Sequence, residues 1–150
     1  MTLRRRTLVL AGGAGLALGV GPARAALSPA LVEAVQGWAG SAAPPRAGRV
    51  RLEIAPLVEN GNAVPIAVNV ASPMTAADHV TAIALFNERN PERNVAVFHL
   101  GPRCGRAAVA TRMRLATSQK LVAVARLSDG THWSATVDVV VTLAGCIEGS

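Results

Sequence analysis

The sequence predicts an all-β domain, an antiparallel β-sandwich of about seven short strands preceded by a short helix. Three observations carry that prediction. After residue 49 apolar residues recur at every second position, turn chemistry interrupts them at regular intervals, and no second helical period appears. A strand points alternate side chains to opposite faces, so many such runs with no helices between them mark a sandwich.

The first stretch is not part of that fold. Arg4-Arg5-Arg6 leads into an apolar run from Leu8 to Val20 and then to the small-residue site Ala23-Arg24-Ala25. These are the three parts of a signal peptide, predicted over residues 1–25. The run is Gly-rich and shorter than the roughly 20 residues that span a bilayer, so no membrane anchor is expected. Arg5-Arg6-Thr7-Leu8-Val9 has the paired arginines of twin-arginine export, with an ordinary secretory signal as the plainer reading. Either route leads to the periplasm.

Residues 26–48 read as a short helix and a linker. Ser28-Pro29 suits a helix start, and Leu31, Val35 and Trp38 then share one face at i, i+4 and i+7. The stretch from Gly37 to Gly48, with Gly-Ser-Ala-Ala-Pro-Pro inside it, cannot hold a regular element. The main domain is predicted over residues 49–143.

Its strands follow in order. Val50, Leu52 and Ile54 alternate, as do Val64, Ile66, Val68 and Val70. Between them Asn60-Gly61 supplies the positive φ angles of a tight turn, in either a hairpin or a crossover between sheets. Further runs span His79 to Phe86, Val95 to Leu100, Ala107 to Ala116, Leu121 to Leu127 and Trp133 to Leu143. Ser72-Pro73, Asn90-Pro91, Gly101-Pro102 and Asp129-Gly130 separate them. An immunoglobulin-like topology fits this spacing best. With no tyrosine and only two phenylalanines, the core is expected to be aliphatic, with Trp133 as its bulkiest member.

Composition narrows the function. The net charge of +6 would suit nucleic acid, but loss of residues 1–25 removes Arg4, Arg5, Arg6 and Arg24. That leaves 11 basic against 9 acidic residues, a net charge of only +2, so nucleic-acid binding is not expected. His79, His99 and His132 share no ligand spacing, and His99 reads as a packing histidine. Asp78, Glu88, Glu92 and Asp129 fall in turns or at strand ends and read as solvated. No phosphate loop or catalytic triad stands out. No catalytic residue, metal site or cofactor is expected.

Chemistry therefore falls to two cysteines. Cys146 follows the last strand on the tail of residues 144–150, where Gly145 and Gly149 read as a flexible arm that offers the thiol to several partners in turn. No cation adjoins it in sequence, which favours a carrier acted on by partner enzymes over an enzyme. The plainer alternative is a disulfide between Cys104 and Cys146. Cys104 itself, in Gly101-Pro102-Arg103-Cys104-Gly105-Arg106, is either an anion-attracting loop or an incidental thiol among solvated arginines.

Six motifs then fall in a recognisable order. They are Leu57-Val58-Glu59-Asn60-Gly61, Val64-Pro65-Ile66, Ser72-Pro73-Met74-Thr75, Asn90-Pro91, Thr111-Arg112-Met113-Arg114-Leu115-Ala116 and Ser128-Asp129-Gly130-Thr131-His132-Trp133. Over roughly residues 28–146 the chain resembles the SoxY family of sulfur-oxidation carriers. The resemblance implies an immunoglobulin-like subunit that pairs with a SoxZ-like protein. It also implies that Cys146 is the covalent attachment point for thiosulfate, loaded by a c-type cytochrome and relieved of sulfate by a di-manganese sulfohydrolase.

The tail departs from the family's pattern. Where the family has Gly-Gly-Cys-Gly-Gly, this chain has Ala144-Gly145-Cys146-Ile147-Glu148-Gly149-Ser150, with stiff Ile147 and anionic Glu148 after the thiol. Three readings follow: a carrier with an altered arm, a carrier of another sulfur compound, or a non-carrier interaction subunit.

Overall fold

The computed structural model describes residues 26–145. The expected signal peptide of residues 1–25 and the tail from Cys146 to Ser150 lie outside the described residues. Helix α1 runs Pro29–Ala39, with Ser28 extended before it and Pro29 in the first turn, where its missing N–H is no loss. The helix ends at Gly40, whose left-handed φ of 67° lets its N–H donate to the Gln36 carbonyl at 2.9 Å.

Nine strands follow: β1 (Arg46–Ala47), β2 (Val50–Glu53), β3 (Leu57–Asn60), β4 (Val64–Val70), β5 (Val80–Asn87), β6 (Asn94–His99), β7 (Ala107–Met113), β8 (Gln119–Leu127) and β9 (His132–Leu143). One sheet has the order β1-β9-β8-β5-β6 with β3 also on β9, and the other is β2-β4-β7. The result is the expected immunoglobulin-like sandwich, mostly antiparallel. The seven expected runs are β2 and β4 to β9. The two additional strands, β1 and β3, both pair parallel to β9.

Those two short strands have a common cause. β9 is 12 residues long, and β8 covers one of its edges. Its other edge presents unpaired backbone groups, which β1 meets at Trp133 and Ser134 and β3 meets from Val140 onwards. With 2 and 4 residues, β1 and β3 are too short to show a period. The chain from β2 to β4 is thus a crossover: β3 joins the opposite sheet before β4 returns to pair with β2.

Packing explains why β5 and β8 read as nearly continuous apolar runs. Ile83, Leu85, Leu121, Ala123 and Ala125 face β4 in the core between the sheets. Ala84, Phe86, Val122 and Val124 face outward and are covered by Leu31, Val35 and Trp38 of α1. A strand buried on both faces loses its alternation. Phe86 is the largest fully buried side chain. Trp133, expected to hold that place, is only partly buried, because it lies at the rim under Arg46 and Arg49, 5.8 and 5.1 Å from its ring centre.

Arg126 fastens α1 to the sheet. Its guanidinium stands 4.5 Å over the Trp38 ring, donates from Nη2 to the Trp38 carbonyl at 3.0 Å, and donates from Nε to His132 Nε2 at 3.3 Å. Accepting that bond requires neutral His132, and burial first, then the Arg126 charge, push its pKa down. The unfolded chain therefore takes up a proton at His132 as pH falls through about 6.5, while the folded chain resists it, so stability declines with acid until the lowered folded pKa is passed. His132→Gln is expected to flatten the dependence of Tm on pH between about pH 7 and 5. Unchanged acid sensitivity in thermal melts would contradict this role.

Candidate functional site

The tail leaves the sandwich at the end formed by the start of β4, the end of β7 and the end of β9. Three backbone segments meet there. Gly61 N–H donates to the Leu143 carbonyl at 2.9 Å, Leu115 N–H to the Gly61 carbonyl at 2.8 Å, and Gly145 N–H to the Leu115 carbonyl at 2.9 Å. A Cβ on Gly61 would stand 2.3 Å from the Leu115 oxygen and 2.8 Å from the Gly145 nitrogen. A Cβ on Gly145 would meet Arg114 Cγ at 2.7 Å and the Gly61 oxygen at 2.8 Å. Only hydrogen fits at either position.

Two sequence expectations change as a result. Gly61 does not supply a positive φ; it is needed for room, while Asn60 Oδ1 makes the turn by accepting the Asn62 N–H at 2.9 Å. Gly145, placed by sequence in a flexible arm, is buried and hydrogen-bonded to the body. The clamp thus reaches to the residue before Cys146. Cys146 and Gly149 lie outside the described residues.

A polar network props the clamp from behind. Asn90 Nδ2 donates to the Arg114 carbonyl at 2.7 Å, and Asn90 Oδ1 accepts the Ala116 N–H at 3.0 Å and Gln119 Nε2 at 2.8 Å. Asn87 and Gln119, the buried polar residues among those described, complete it: Asn87 Oδ1 accepts the Asn90 N–H, and Gln119 Oε1 accepts those of Glu88 and Arg89. Asn90→Ala removes three bonds and is expected to cost about 2 kcal/mol in denaturant unfolding. A loss below a few tenths would contradict the network.

The other candidates are dispersed. Cys104 is a free, exposed thiol in the 3-10 turn Pro102–Cys104, before β7, with its sulfur accepting the Gly101 N–H at 3.4 Å. The clamp lies beyond the far end of β7, on the order of 20 Å away at about 3.3 Å per residue. The expected alternative of a Cys104 to Cys146 bridge falls on Cys146, outside the described residues.

His99 is exposed rather than packed, because its strand is the sheet edge, and His79 Nδ1 lies 3.0 Å from the Thr75 carbonyl. No group of three or more metal-ligating side chains occurs among the described residues. Glu88, expected to be solvated, instead accepts the Ser28 N–H at 3.1 Å and so ties α1 to the body. Asp129 is exposed but accepts the Thr131 hydroxyl and N–H at 2.7 and 2.9 Å, bonds that lower its pKa. Asp78 stands 4.0 Å from Arg49, and Glu92 is exposed.

One residue of this site was missed in the sequence. Arg114 lies with its side-chain stem against Gly145, and with Arg112, Asn90, Pro91 and Glu92 it lines a shallow depression beside the clamp. The stem of an arginine thus packs against the residue before Cys146.

Residues 35–146 match the family model described as sulfur oxidation protein SoxY. No curated protein sequence matches significantly. Among solved structures, the sulfur carrier protein SoxY from Chlorobium limicola f thiosulfatophilum is 30% identical, with 75% of this chain and 96% of that one aligned at a TM-score of 0.63. A superoxide reductase (neelaredoxin) from Ignicoccus hospitalis is 20% identical over 63% of this chain and 80% of that one, with a TM-score of 0.56. A putative superoxide reductase from Thermotoga maritima is 20% identical over 65% and 87%, with a TM-score of 0.53. At that identity the two reductases share the fold alone.

Proposed function

The chain belongs to the SoxY family of sulfur oxidation proteins, and from that premise we propose that it is a periplasmic covalent carrier holding thiosulfate-derived sulfur on Cys146. The observation that carries the reading is the clamp at Gly145, which holds the backbone of the residue preceding Cys146 against Gly61 and Leu115. The protein is a substrate for partner enzymes and has no catalytic residue of its own. In loading, the Cys146 thiolate and the outer sulfur of thiosulfate join as Cys146–S–S–SO3⁻, and two electrons pass to the c-type haem of a partner. Hydrolysis of the outer bond by a di-manganese partner consumes water, releases sulfate and two protons, and leaves Cys146–S–S⁻.

A strain whose native gene is replaced by Cys146→Ser is expected to lose thiosulfate oxidation while still accumulating the folded protein. Retention of full oxidation would set the carrier reading aside in favour of the non-carrier interaction subunit.

Pairing with a SoxZ-like subunit forms the second part of the proposal. Leu57 and Val140 are paired across β3 and β9, and with Leu143 they are 57%, 54% and 61% exposed. Apolar side chains this open, close to the clamp, suit burial by a second protein. Val140→Glu is expected to weaken the heterodimer at least tenfold, about 1.4 kcal/mol, by titration calorimetry, with Tm of the isolated subunit unchanged. Undiminished affinity would place the partner on another face.

A further inference from the structure

We propose that helix α1 is a pH-sensitive latch: protonation of His132 releases the C-terminal end of the helix from the sandwich while the two sheets stay folded. The inference is independent of the carrier reading. It begins from the separation of the two apolar clusters. The core between the sheets, from Leu52 to Val139, draws no side chain from α1 among the described residues. Leu31 and Val35 are buried instead with Phe86, Val122 and Val124 on the outer face of β5 and β8. Lifting α1 therefore uncovers that face and leaves the inner core closed.

The chain between helix and sandwich permits such a movement. Ser41 to Pro45 hold neither helix nor strand before β1 begins at Arg46. The N-terminal end of α1 is tied where the Ser28 N–H donates to Glu88 at 3.1 Å, and the C-terminal end where Arg126 Nη2 donates to the Trp38 carbonyl at 3.0 Å. Only the second of these ties runs through a histidine.

His132 fixes the geometry from which Arg126 reaches Trp38. The guanidinium stands 4.5 Å over the Trp38 ring, and its Nε donates to His132 Nε2 at 3.3 Å. The His132 ring in turn packs edge-on against Trp38, with ring centres 5.8 Å apart. A guanidinium carries donors only, so Nε2 must keep its lone pair. A proton there would set N–H against N–H and one positive charge against another. Arg126 must then turn away, and Trp38 loses both the cation over its ring and the donor to its carbonyl.

The other charges near His132 do not relieve this conflict. Arg46 of β1 shares the depression beside it and is a second cation. Asp129, in the turn between β8 and β9, gives its Oδ1 to the Thr131 N–H and hydroxyl. Glu33, the carboxylate of α1, is exposed and lies more than one helical turn from Trp38. Burial and then the Arg126 charge accordingly keep the docked imidazole neutral, whereas an imidazole freed with the helix takes up its proton near pH 6.5, about the ordinary value. Docking is thus fully favoured above that pH and weakens as pH falls below it, until the lowered pKa of the docked state is passed.

Hydrogen exchange of the folded protein, read by mass spectrometry and corrected for the intrinsic effect of pH, tests the latch. The opening constant of α1 amides is expected to exceed that at the centres of β5 and β8 roughly tenfold or more. It should rise about fivefold between about pH 7.5 and 5.5. His132→Gln, whose side-chain oxygen can still accept from Arg126, should remove the rise. Arg126→Leu should raise the opening of α1 about fivefold already at about pH 7.5. Equal protection of α1 and β5 would mean that the helix leaves only with global unfolding, and would overturn the proposal. So would a rise with acid that persists in His132→Gln, or an α1 that Arg126→Leu leaves as protected as before.

Discussion

Gly61→Val is expected to destabilise the protein by about 4 kcal/mol, combining the cost of overpacking with the loss of backbone hydrogen bonds. The added carbons would meet the Leu115 oxygen and the Gly145 nitrogen, both backbone atoms that cannot rotate away. Either β7 separates from the turn after β3, or the tail is expelled from its place. Both lose the bonds that join Gly61, Leu115, Leu143 and Gly145. In a thermal melt the change should appear as a fall of about 15 °C.

Gly37 provides the contrast. It lies inside α1 with nothing within 4 Å of an added Cβ. Gly37→Ala should therefore raise stability by about 0.5–1 kcal/mol, because alanine loses less backbone freedom in a helix than glycine. If both substitutions left Tm unchanged, the contact at Gly61 would not be structural.

The fold was legible where side chains alternate. The seven runs of apolar residues became β2 and β4 to β9, and Leu31, Val35 and Trp38 marked the buried face of α1 correctly. The strands β1 and β3 were not legible, since a strand of two to four residues has no period and both exist to cover the free edge of β9. The rim position of Trp133 was hidden for a related reason. Its neighbours Arg46 and Arg49 come from a segment that reads as linker.

The candidate site was legible as text and obscure as geometry. Cys146 stands out as a thiol after the last strand, and the motifs around Gly61, Asn90 and Arg114 are visible as text. Nothing in the text says that these motifs meet. Asn60-Gly61 resembles a turn signal, and only the approach of Leu115 and Gly145 shows that the glycine is there for space. Asn90-Pro91 also reads as a turn, although the asparagine's larger role is to hold the backbone at Arg114 and Ala116.

Cys146→Ser is the change expected to have the largest functional effect, because no other residue can substitute for its sulfur. Cys104 lies beyond the opposite end of β7, among other residues, and should not take over. Serine keeps the size of the side chain but cannot form a sulfur–sulfur bond, so the fold and any pairing should persist while loading disappears. Equal Tm values and equal affinity for a SoxZ-like partner would separate this loss from misfolding.

The most direct measurement is the mass of the tryptic peptide Leu127–Ser150, which contains Cys146 and no lysine or arginine. The protein would be isolated from the periplasm of cells oxidising thiosulfate and digested without reductant. The carrier reading predicts a fraction of this peptide heavier by S2O3 or by sulfur alone, returning to the unmodified mass on reduction and absent in Cys146→Ser. An unmodified peptide throughout thiosulfate oxidation would contradict it.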